Sequence, residues 1–143
     1  METLSPIGKF RQRMDKFLNK LDTWANRAQK KELEKFRMKY DLGMKANPRD
    51  SLNYFMEGVA LYGDQIMVGD DEFFLREEID VDDEFTVLSG QLKTWWPELD
   101  TKKKDYVKAQ FKLLLMLGAI ATKNEDMRVV INKYRDPSNP MVY

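Results

Sequence analysis

The residues that could do acid–base or metal chemistry are crowded into one stretch of the chain. Positions 70–84 hold nine carboxylates: Asp70, Asp71, Glu72, Glu77, Glu78, Asp80, Asp82, Asp83 and Glu84. Carboxylates at this density are the raw material of a divalent-cation site or of a paired-acid hydrolase. A calcium loop of the EF-hand type needs alternating Asp/Asn ligands, a central Gly and a Glu at the twelfth position. That order is absent. Nothing singles out two acids as a catalytic pair either. The expectation is no metal, no cofactor and no catalytic residue.

The rest of the composition points the same way. The chain has no His and no Cys. This removes imidazole general bases, Ser-His-Asp triads, thiolate nucleophiles, disulfides and the usual zinc ligands. Carboxylates, Lys, Tyr, Ser and Thr remain, and the expectation is a protein that binds rather than catalyses. A cysteine-free chain fits an intracellular, reducing compartment.

Charge is unevenly distributed. Residues 1–50 carry a net +6, residues 51–100 a net −11 and residues 101–143 a net +5, although the total is zero. Basic, acidic and basic blocks imply charge-complementary packing within the fold or between molecules. Within the first block, Lys9, Arg11, Arg13, Lys16, Lys20, Arg27, Lys30, Lys31, Lys35, Arg37 and Lys39 lie between apolar positions. They form a solvated helix face or a surface for phosphates or an acidic protein. Lys102, Lys103 and Lys104 fall in the first turn of an expected helix, where cations oppose the helix dipole. An anion there would offset that cost, and the acidic segment is the favoured source.

These groups must be positioned by helices. Ser5-Pro6 is a helix start, with Ser as cap and Pro at the first helical position. Ile7, Phe10, Met14, Phe17, Leu21, Trp24 and Ala28 then recur at alternating spacings of three and four, a heptad seam. The repeat fails at Lys31 and Lys35 and resumes in a new phase at Leu33, Phe36 and Tyr40. A phase shift or a kink is therefore expected near residues 29–32 of a helix spanning 1–43, with Gly43 as its C-cap. The turn Asn47-Pro48 leads to a second helix, 50–68, capped by Asp50 or Ser51, with Leu52, Phe55, Val59, Tyr62 and Ile66 on one face. The two would form an antiparallel hairpin. After Gly69 come the acidic segment 70–84, with a short helix at 71–78, and a C-terminal helical cluster, 85–135. Thr101 is the expected cap of its main helix, 102–122. The tail 136–143 is expected to be extended. The alternation from Val81 to Val87 finds no partner strand and reads as helical or irregular. The fold class is thus all-α: one helical domain, 1–135, plus the tail.

The seam could serve an intermolecular coiled coil, joining copies of the chain or another protein, or could pack against the second helix. Aromatic residues at seam positions favour the second alternative. Trp95 and Trp96 diverge by about 100° on a helix, which puts one of them at a flank; Trp96 is then either a contact residue or packed under the acidic segment. Met141, Val142 and Tyr143 follow two prolines and form a candidate docking tail. The candidate partner-binding residues are therefore Ile7, Phe10, Met14, Phe17, Leu21, Trp24, Trp96, Lys102, Lys103, Lys104, Met141, Val142 and Tyr143. The first apolar residues are interrupted by Lys9, Arg11 and Arg13, so no leader peptide is expected. The longest apolar run, Leu113 to Ala121, is nine residues, well below the roughly 20 of a membrane span.

One set of elements resembles a family. Asn47-Pro48-Arg49, then Asp71-Glu72-Phe73-Phe74, then Trp95 with Leu99, then Lys103-Lys104 leading into Phe111 to Leu117, resembles small helical proteins of large eukaryotic DNA viruses. About half the chain is covered, and the aromatic that precedes the last apolar helix in that pattern is shifted here. The resemblance implies a virus-encoded, virion-associated, non-enzymatic protein. The expected function is a structural or adaptor role through protein–protein contact, with nucleic-acid binding by the basic N-terminal face as the alternative.

Overall fold

A computed structural model of the chain describes residues 5–60, 63–69 and 93–133. These residues form helices α1 (Pro6–Trp24), α2 (Arg27–Ala46), α3 (Pro48–Ala60), α4 (Gly63–Val68), α5 (Thr101–Thr122) and α6 (Glu125–Lys133), with a 3-10 turn at Trp96–Glu98. There is no strand among them, so the class is all-α. The acidic segment 70–84, the helix expected at 71–78, the alternation at 81–87 and the tail 136–143 lie outside the described residues.

The helix expected over 1–43 is two helices, and they form the N-terminal hairpin. The break is at Ala25 and Asn26, both in extended backbone, rather than at 29–32. Its cause is a reciprocal cap: Asn26 Oδ1 accepts from the Gln29 amide, and Gln29 Oε1 accepts from the Asn26 amide, both at 2.8 Å. α2 then runs past Gly43, which is interior, and its carbonyl accepts from the Asn47 amide at 2.8 Å. Pro48 stops the helix because the residue before a proline is driven out of the helical region. Asn47 also starts α3: its Oδ1 accepts from the Asp50 amide at 3.1 Å, so Asn47 is the cap in place of Asp50 or Ser51. Thr101 is likewise replaced as cap. The Asp100 carboxylate accepts from the Lys103 amide at 2.8 Å, and a carboxylate there also complements the dipole. Ser5 caps α1 as its sequence implies, accepting from Gly8 at 3.0 Å. Gly69 closes α4 at φ 76°, a conformation open to glycine.

Cross-helix contacts fix the directions. Phe17 meets Phe111 edge-on at 5.8 Å between ring centres, and Trp24 meets Tyr106 at 5.4 Å, so α1 and α5 run antiparallel. Arg37 donates to Asn19 at 2.8 Å and Lys30 reaches Asp22 at 3.9 Å, so α1 and α2 are antiparallel too. α3 reverses again and lies against α2 and α5. Together α1, α2, α3 and α5 make an up-down-up-down bundle. α4 and α6 pack together on the far side of α5. The core runs through the bundle as Phe10, Met14, Phe17, Leu18, Leu21, Leu33, Phe36, Leu52, Met56, Phe111 and Leu114, all essentially removed from solvent.

Candidate interaction surfaces

The seam of α1 closes inside the chain. Phe10, Met14, Phe17 and Leu21 are buried, and Ile7 and Trp24 are half-buried against the same core. α5 and α2 occupy the two sides that a second chain would need. This corrects the expectation that these six residues face a partner, and the intramolecular alternative is the one realised. Aromatic rings explain the choice: Phe17 engages both Phe111 and Tyr106, a geometry that a helix-to-helix seam of small branched residues does not require.

Trp96 is also corrected. Its side chain is 0% exposed, and Trp95 is buried beside it. Adjacent rings on a helical turn point in different directions, so the burial of both means that the protein covers more than one side of this turn. Lys102 is exposed, whereas Lys103 and Lys104 lie along the protein. The Lys103 ammonium sits 5.4 Å from the centre of the Trp24 ring, and the Lys104 ammonium 5.7 Å from that of Trp96. Two indole faces thus supply the compensating negative potential at this helix start. Met141, Val142 and Tyr143 lie outside the described residues.

A basic flank takes the place of the seam as the surface feature of α1. Lys9, Arg13, Lys16 and Lys20 follow one another at spacings of four, three and four, so they share one side of the helix. The carboxylates of α1, Asp15 and Asp22, stand on the opposite flank together with Arg11, and Asp22 pairs there with Lys30 of α2. The basic flank borders α5. Burial pushes the Tyr106 hydroxyl above the ordinary tyrosine range, and the nearby Arg13 guanidinium pulls it back. Lys103 over Trp24 continues the same face onto α5. These four belong to the basic residues already set between the apolar positions, and the 9-13-16-20 spacing gathers them on one flank. Two further residues have no internal role: Met38 and Leu42, one turn apart on the outer side of α2, are 64% and 66% exposed.

Among the described residues no group of three or more acidic side chains could hold a metal ion. No described helix is long and apolar enough to cross a membrane. Comparison with known protein families, with curated proteins and with solved structures found no match to this chain.

Proposed function

We propose that the protein is a non-enzymatic interaction protein, a structural or adaptor component, which docks an acidic protein segment on the face shared by α1 and the start of α5. The observation that carries this reading is the separation of charge on α1. Four of the five cations of α1 line one flank, whereas both carboxylates, with Arg11 among them, lie on the other. A helix face that only needed solvation would mix the signs to gain local pairs. A role within a virus particle or its assembly is the finer form of the proposal and rests on the sequence resemblance alone.

The test uses the double charge reversal Lys16→Glu/Lys20→Glu, since both side chains are exposed and lie off the core. Fluorescence polarisation with a labelled glutamate-rich peptide is expected to show binding that the variant weakens by about tenfold, with an unchanged thermal melt. Equal binding by both proteins sinks the proposal.

A second reading, nucleic-acid binding, is favoured by the half-buried aromatic rings of Trp24 and Tyr106 beside the same cations. Rings next to cations suit a single strand, where bases stack and phosphates pair. A labelled oligonucleotide whose binding falls steeply with salt would replace the first reading with this one.

A further inference from the structure

Beyond the basic face, the corner between α5 and α6 forms a partly open apolar cavity of about 270 Å³. Met116, Ala119, Ile120 and Ile131 supply its carbon walls, and Lys123 and Arg128 complete its lining. The two cations are exposed, whereas Met116, Ala119 and Ile131 are buried. Water fits such a volume but finds few polar partners along its walls, and cavities of this kind take apolar occupants.

Lys123 is an unusual residue at this corner. It is the one non-glycine position with a positive φ among the described residues, at φ 55° and ψ 39°. Its amide closes α5 on the carbonyls of Ala119 and Ile120, and the next amide, Asn124, reaches Ala119 at 3.0 Å. Glycine or asparagine normally fills this left-handed C-cap. Here a lysine holds the strained position and lines the cavity. Arg128 is steadied by Glu125 at 3.2 Å, while Lys123 makes no ion pair among the described residues. Neither Glu125 nor Asp126 belongs to the lining.

We propose that this corner binds a small amphiphile, with its alkyl chain in the cavity and its anionic head at Lys123 and Arg128. A cavity of roughly 150 Å³ accepts benzene, which scales to a chain of about ten carbons at most. The site does not depend on the basic face of α1, and the two can fail separately.

The probe is octanoate, titrated into the full chain and followed by amide chemical shifts, with octan-1-ol and octylamine in parallel. Octanoate is expected to shift Ile120, Lys123, Arg128 and Ile131 saturably and to bind more tightly than either control. Lys123→Gly relieves the left-handed backbone and removes the cation. It should raise the melting temperature, yet weaken octanoate by about two- to fivefold and leave octan-1-ol unchanged. This variant cannot lose binding through misfolding if it melts higher. Ala119→Leu, which fills the cavity, should abolish the binding of both. Equal affinity for the three probes, no saturable shift with octanoate, or an octanoate affinity untouched by Lys123→Gly would each overturn the proposal.

Discussion

α1 and α5 lie side by side and antiparallel, but the rest of the molecule covers them differently. α1 is covered along one stripe, and the residues off that stripe are mostly charged or polar. α5 is covered from several sides: Phe111 faces α1, Gly118 faces Met56 of α3, and Met116 and Ala119 border α6. A helix packed on one side keeps a three-and-four rhythm, because only one line of positions is selected for apolarity. A helix packed on several sides is apolar around most of its circumference, and the rhythm fades. The surface chemistry follows from the same difference. α1 has a free flank on which charge can be sorted, whereas α5 has free positions mainly at its first turn.

The largest effect that would sharpen this contrast is at Phe17. Phe17→Ala should cost about 3–5 kcal/mol in urea unfolding, as for other buried aromatic truncations, while Lys16→Ala next to it should change little. Comparable losses at both positions would break the one-sided picture of α1. On α5 the informative site is Gly118. A Cβ there would run into the thioether of Met56, so Gly118→Val is expected to destabilise by about 1–3 kcal/mol through overpacking. A gain in stability from the better helix former would mean that α3 does not cover α5 at that level.

The smallest effect probes where α1 meets α2. The Tyr40 hydroxyl is buried without a hydrogen-bond partner among the described residues, beside a cavity of about 20 Å³ that also touches Phe10 and Met14. Burial, with added repulsion from the Asp15 carboxylate, raises its pKa above the ordinary 10.0, against the pull of Arg11. The folded chain therefore holds this proton more tightly than the unfolded chain does. The associated stability is complete below pH 10 and is lost as pH rises above it. Tyr40→Phe should be within about 1 kcal/mol of the parent at pH 7, and its melting temperature should fall less between pH 9 and pH 11. A parallel fall in both proteins would show that Tyr40 does not hold its proton in the fold.

Much of the architecture was legible in the residues. The seam 7-10-14-17-21-24 marked the buried side of α1, and Ser5-Pro6 and Asn47-Pro48 marked helix limits. The loss of apolar period at Lys31 points to a break at 29–32, whereas the break lies after Trp24. The decisive signal was local: Asn26 and Gln29, three apart, can cap each other, and such a cap outweighs an uninterrupted apolar rhythm. The interaction residues were harder to read. A buried stripe and a docking stripe have the same spacing, and only the position of α5 tells them apart. Trp96 was hard to place for a related reason: adjacency shows that two rings diverge, but not that both directions are covered. The anion expected at Lys103 and Lys104 would come from the acidic segment, which lies outside the described residues. The indole contacts found there could not be read in advance, because they depend on packing across about 80 residues of sequence between Trp24 and Lys103.

The pairing of α1 with α5 has a consequence during synthesis. Phe17 and its partner ring Phe111 are 94 positions apart. At roughly 5–20 residues per second, α1 leaves the ribosome roughly 5–20 s before α5 exists to cover it. During that interval α2 and α3 can shelter Phe10 and Met14, but the Phe17 side of the seam stays bare. Newly made chains are thus exposed to chaperones, or to one another, along an edge that the finished molecule never shows.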